Sequence, residues 1–319
     1  MRRLEPFTLP LGLQGWIEAQ ASRFLHPSNA PPIDFTQPAG EPALAPPMSV
    51  AWQVFRNPVS LFIGGVAAVL LELAEPRVRA GIWDHSKFRT DPVERLRRTG
   101  LAAMVTVYGA RSVAKGMIAG VRDVHGRIAG RTAGGEDYRA DDPELLDWVQ
   151  ATASYGFLQA YLAFVRPLEC AQRDLFYLEC EPGARLYGCR APPTSEAEME
   201  AKLAAMEPRL GSSPVIFEFL EIMRAASILP PLIRPAQTLM IRAAVSIVPL
   251  RVRHLLGIGQ PWNLRPWEGA IVRQAGITAD RLRLDNSPAA QASLRMGLSP
   301  DYLWKAAATS TGSRSSSPS

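Results

Sequence analysis

Residues 59 to 74, VSLFIGGVAAVLLELA, are the most apolar stretch of the chain, and they leave it few ways to fold. The run is too short to span a bilayer comfortably, carries Glu72 inside it and stops at Pro76. It therefore reads as a helix buried inside a globular protein, and the rest of the sequence has to supply the helices or sheets that cover it. No other segment shows a strict apolar-polar alternation long enough to require a sheet, so the covering elements are helices. With 319 residues, 47% of them hydrophobic, the chain can bury a large core of this kind.

Helix starts are punctuated along the sequence. Asp91 can cap a helix, Pro92 suits its first position, and Glu94 completes a capping box. Asp142 and Pro143 open a second helix, in which Leu145, Leu146, Val149, Ala153, Gly156, Phe157, Ala160, Tyr161 and Phe164 form a wide apolar stripe, as expected of a central helix. Ser195 and Glu198 box the start of an outer, charged helix. The one plausible hairpin is GRTAGGEDYRA, turning at Gly134 and Gly135. The C-terminal apolar region is interrupted by Pro235, Arg242 and Pro249, which leaves peripheral membrane contact open as a second use for it.

The fold class expected is all-α, a single domain without internal repeats. Residues 1–49 form a proline-rich lead-in that wraps or flexes, and 50–260 are the helical body. Residues 261–304 are an extension packed on that body, and 305–319 are a polar, disordered tail. The N-terminus lacks a continuous apolar core and a small-residue cleavage site, so the expectation is a cytoplasmic chain. Three cysteines, Cys170, Cys180 and Cys189, fit neither a zinc knuckle nor a disulfide framework. The net charge of +5 comes from scattered arginines without a compact basic run, which argues against nucleic acid as a partner.

The common catalytic signatures are missing: GxSxG, a Walker loop, GxGxxG after a strand, HExxH and CxxCH. Four histidines remain. His26 lies in the irregular lead-in and reads as solvated, His254 sits near a helix end, and His85 reads as a hydrogen-bonding turn residue. His125 lies at the edge of the stripe Val113, Met117, Val121, Val124 and Ile128, in a segment expected to be helical through Gly130. Glycine costs a helix interior roughly 1 kcal/mol relative to alanine, so Gly116, Gly120, Gly126 and Gly130 point to the close approach of a flat or bulky partner. Spacing alone leaves His125 between a core residue and a ligand. Arg95 and Thr99, one turn apart, present the same choice: Arg95 is either a surface cation or, facing inward, it must meet an anion.

The ordered set LFIGGVAAVLLELAEPRVRAGIWDHSKFRTDPVERLRRT, VHGRIAG, YRADDPELLDWV and LPPLIRP…VPLRVRHLLGIG resembles the latex clearing protein (rubber oxygenase) and MpaB oxygenase family over roughly residues 50 to 260. That resemblance implies a globin-like helical core with one non-covalent b-type haem, held through His125. It places Arg95 and Thr99 in the haem pocket, binding a propionate or polarising bound oxygen, and makes O2 and an apolar, isoprenoid-like molecule the substrates. Leu61, Phe62, Val149, Phe157 and Tyr161 are the expected pocket walls. The chain departs from the family in three places: it reads Glu75-Pro76 where many relatives have His-Pro, Arg98 where the rubber enzyme has a distal lysine, and Ala129 where an arginine would follow the proximal histidine. The family's catalytic glutamate has two candidate positions, Glu72 and Glu75. The oligomeric state is not legible.

Overall fold

The structure is a computed structural model that describes residues 7–8, 14–15, 32–229 and 233–309, with side chains to 305. It begins with α1 (Val50–Phe55), α2 (Pro58–Ala74), α3 (Pro76–His85), α4 (Pro92–Tyr108) and α5 (Arg111–His125). A short hairpin follows, β1 (Ala129–Arg131) and β2 (Asp137–Arg139). Then come α6 (Pro143–Phe164), α7 (Cys170–Tyr187), α8 (Glu196–Met206), α9 (Pro214–Ala225), α10 (Arg234–Ile247), α11 (Leu250–Leu256), α12 (Pro266–Arg281), α13 (Pro288–Arg295) and α14 (Tyr302–Thr309). The class is all-α, as the patterning requires.

The apolar run forms α2, and it is wrapped on most of its surface: Ile63, Leu70, Leu71 and Leu73 have no exposed area at all. Its main partner is α6, the second helix with a wide stripe. The two backbones touch where Gly64 meets Gly156. A Cβ added at Gly64 would lie 2.7 Å from the Gly156 carbonyl oxygen, and one at Gly156 would collide with the Gly64 carbonyl. Neither glycine is explained by helix propensity, and both are explained by this crossing.

The caps read from the sequence are in place. Asp91 accepts a hydrogen bond from the Glu94 amide at 3.2 Å, Asp142 from Glu144 at 2.9 Å, and Ser195 from Glu198 at 3.2 Å. Glu198 turns instead to Thr194, accepting from its amide and hydroxyl.

The ends of the chain are sewn onto the body by buried polar groups. Arg295, 3% exposed, donates to the carbonyl oxygens of Phe35, Glu41 and Tyr108 at 2.7–2.8 Å, so the lead-in over 32–49 is irregular but anchored. Asn57 caps α2 and donates to the Gly276 carbonyl of α12 at 2.9 Å, beside the buried Arg56–Asp280 ion pair. The tail starts later than position 305, because Leu303 and Trp304 are buried and carry α14 to Thr309. The Trp304 indole donates to the Asp280 carbonyl and its ring lies under Arg56. Residues beyond 309, and His26 with its expected solvation, lie outside the described residues.

One expected helix is shorter than its pattern. α5 stops at His125, Gly126 is its cap, and the chain turns into the hairpin, where Ile128 donates to the His125 carbonyl and Ala140 to that of Ile128. The hydrogen bonds of the turn outcompete the five further residues of helix expected, and only Gly116 and Gly120 of the four glycines are inside α5. Among the described residues no single helix is long and apolar enough to cross a membrane; α2 and α3 together have the length, but they bend by 112° at Glu75.

Candidate functional site

α4 packs chiefly on α1, α5 and α13, which leaves the face bearing Arg95 and Thr99 turned elsewhere. The pair is locked along the helix: the Arg95 guanidinium donates to the Thr99 hydroxyl, and that hydroxyl donates to the Arg95 carbonyl at 3.0 Å. The guanidinium also lies 5.6 Å over the ring of Phe88, a buried residue that the sequence pattern did not mark. Arg97 and Arg98 both find Glu94, at 4.0 and 3.3 Å. Arg98 is thereby bound along α4, and its side chain is half exposed. Arg95 has no carboxylate within ion-pair distance among the described residues, although desolvation by the surrounding protein holds its basicity below the usual guanidinium value.

The two groups that feel Arg95 come from other helices. Glu72, in the last turn of α2, is partly covered, and desolvation pushes its carboxyl up to about 7 against the opposing pull of the Arg95 charge. His125, the last residue of α5, is half buried, and burial lowers its basicity with the Arg95 charge acting in the same direction. Asp141 opposes that shift, but its carboxylate is already held by Arg139 at 2.9 and 3.0 Å. Burial and the Arg95 charge both favour the uncharged form of the imidazole. Its Nδ1 is buried and has no hydrogen-bond partner among the described residues.

On α2, Leu61, Gly65, Val69 and Glu72 recur at three- and four-residue steps and remain only partly covered, while Ile63, Val66, Ala67 and Leu70 between them are fully buried. Phe157 of α6 lies against this stripe, 3.9 Å from where a Cβ at Gly65 would stand. Leu61, Phe62, Val149 and Phe157 are half covered, with Phe62 and Val149 packed on one core cluster and Leu61 and Phe157 on the other. Tyr161 is not a wall residue: it is wholly buried, and its hydroxyl accepts from Arg166 at 2.8 Å. It packs in the core because its position falls on the inward side of the α6 stripe.

The structure separates the two glutamates. Glu75, 1% exposed, caps α3 by accepting from the Val78 amide at 2.7 Å and from Arg77 at 2.8 Å, so its oxygens are committed to the bend. Of the two, Glu72 is the one within electrostatic reach of Arg95. His85 bonds the Tyr138 hydroxyl at 3.0 Å, the turn contact expected of it, and His254 lies in the last turn of α11.

A lone imidazole makes an incomplete site for a bare ion, and no group of three His, Cys, Asp or Glu among the described residues could hold one. His125 fits a metal whose other ligands come from a prosthetic group. Gly116 and Gly120 of α5 are exposed, and a Cβ at either would meet nothing within 4 Å, so neither marks a close approach of another group.

The family described as ER-bound oxygenase mpaB/B'/Rubber oxygenase, catalytic domain, matches residues 52–278, which is more than half of the chain and runs from α1 into α12. No curated protein and no solved structure matches.

Proposed function

Because the chain belongs to the mpaB and rubber oxygenase catalytic-domain family, we propose that it is a haem b-dependent oxygenase. It oxidises or cleaves a carbon–carbon double bond in an apolar, isoprenoid-like small molecule, with O2 as co-substrate. The observation that carries this reading is the half-buried His125, whose Nδ1 is buried without a hydrogen-bond partner among the described residues, within electrostatic reach of Arg95, whose charge also acts on Glu72.

Haem, when bound, supplies the iron that activates O2. His125 would hold that iron through a ring nitrogen, and its low basicity keeps the lone pair available at working pH. Arg95 offers the fixed cation that a propionate needs, and Thr99 holds the guanidinium in line with α4. The carboxylate oxygens of Glu72 take up or release a proton at neutral pH, which suits general acid–base work beside an apolar wall. Leu61, Val69 and Phe157 orient an apolar chain along that wall and exclude water from it.

The reading is tested by adding haem to the purified chain and following the Soret band, then measuring oxygen uptake with prenylated compounds. Haem uptake with oxygen consumption supports it; a chain that takes up no haem overturns it.

Glu72→Gln is expected to retain haem and lose turnover by ~100-fold or more, the usual worth of an acid–base group. The same substitution has a stability signature in the haem-free chain. The Glu72 carboxyl is less acidic folded than unfolded, so its contribution is present below about pH 4.5 and is lost as pH rises through about 7. The variant should melt with the native chain at pH 4.5 and above it at pH 8, and equal melting curves at pH 8 would contradict the burial of Glu72.

Arg95→Ala should weaken haem retention and leave the helical content intact. In the haem-free chain it removes a positive charge that disfavours the imidazolium, so the NMR titration midpoint of His125 should move up. An unmoved midpoint would place Arg95 away from His125.

A further inference from the structure

The hairpin that follows His125 is bound to α3 by the buried side chain of Tyr138, with an outer ion pair between Arg77 and Glu136 at 3.6 Å. Tyr138, the inward residue of β2, is 5% exposed and pairs across the ladder with Gly130 of β1. Its ring occupies a slot between two glycines: a Cβ at Gly130 would lie 2.6 Å from the Tyr138 hydroxyl oxygen, and one at Gly81 of α3 would lie 3.6 Å from Cε2 of the ring. At the end of the slot the hydroxyl meets Nε2 of His85, the last residue of α3, at 3.0 Å.

The hairpin in turn grips the end of α5. The Arg127 and Ile128 amides donate to the carbonyls of Val124 and His125 at 3.1 and 3.0 Å, and the Ala140 amide, two residues after Tyr138, donates to Ile128 at 2.9 Å. The Arg139 guanidinium reaches the Gly126 carbonyl at 3.5 Å. α3 begins directly after the bend at Glu75, three residues beyond Glu72. The His85–Tyr138 contact therefore closes a ring of structure that runs from Glu72 through α3 and the hairpin to His125.

We infer that Tyr138, latched by His85, is a positioning residue that fixes the His125 end of α5 relative to the Glu72 end of α2. It touches neither of the side chains in the site and acts through backbone, in the way that outer contacts orient a ligand. Where the latch bears on haem, it rests on the oxygenase reading; its effect on the backbone around His125 does not.

Tyr138→Phe keeps the ring in its slot and removes only the hydroxyl, and His85→Ala removes the other half of the contact. His85→Gln can restore a hydrogen bond to the hydroxyl. In the haem-free chain, Tyr138→Phe and His85→Ala should speed hydrogen exchange of the Arg127 and Ile128 amides by about tenfold, with exchange in α2 and α6 unchanged and His85→Gln close to the native chain. After haem loading, both disruptive variants should release haem to an apo-globin acceptor about tenfold faster, again with rescue by His85→Gln. Native exchange at Arg127 and Ile128 in Tyr138→Phe overturns the latch, as does acceleration spread over the whole chain. A native chain that takes up no haem overturns the oxygenase reading instead, and the exchange experiment still decides the latch.

Discussion

His125→Ala should abolish haem retention while leaving the far-ultraviolet circular dichroism unchanged. On the proposed reading the substitution removes the iron ligand, and the described residues offer no second histidine beside it: His85 is engaged by Tyr138, and His254 lies on α11. A loss of ~3 kcal/mol of ligation is about a hundredfold in affinity, enough to leave the purified variant colourless at micromolar protein. The fold should tolerate the change because His125 is the last residue of α5, half buried, and its buried nitrogen bonds nothing that would be left unpaired. External imidazole gives a sharper check, since it can enter the vacated space and restore a Soret band. A variant that keeps native haem content and spectrum would remove His125 from the site, and with it the basis for reading Glu72 and Arg95 as its companions.

The largest effect on stability is expected at the crossing of α2 and α6. Gly156→Ala introduces a Cβ into the Gly64 carbonyl, and the obstacle is backbone rather than a side chain that can rotate away. The two longest apolar helices would have to separate along their contact, opening gaps among Ile63, Ala67 and Ala160, which have no exposed area. Overpacking of this kind costs ~3 kcal/mol, or roughly 5 °C in Tm for a chain of this size. The gain in helix propensity from replacing glycine, roughly 1 kcal/mol, opposes the clash but does not offset it. Thermal unfolding of Gly156→Ala beside Gly116→Ala separates the two effects, because a Cβ at Gly116 meets open space and should leave Tm unchanged or raised. Equal melting of the two variants would mean that the crossing is looser than the structure has it.

Local chemistry in this chain was legible because it acts over a few residues. The caps at Asp91, Asp142 and Ser195, the hairpin turn at Gly134 and Gly135, and the buried character of α2 each follow from groups within one or two turns of one another. The over-long reading of α5 failed for the same reason: the pattern of apolar residues continues past His125, and only the pairing of Ile128 with Ala140, twelve residues on, ends the helix there. Tyr161 was misassigned because a periodic stripe on a central helix faces both core and cavity, and periodicity does not say which side a given residue serves.

The site divides along the same line. Sequence by itself raised His125, Arg95 and Thr99 as candidates, since their family pattern and the i,i+4 spacing of the pair on α4 are properties of order along the chain. It could not choose between Glu72 and Glu75, three residues apart on the same apolar run. That choice depended on a bend of 112° between α2 and α3, which commits the oxygens of Glu75 to the Val78 amide and Arg77 and leaves Glu72 facing Arg95. Whether a carboxyl is a helix cap or an acid–base group is decided by what desolvates it and which charge stands opposite. Those neighbours come from helices dozens of residues away, so only the packed structure brings them together.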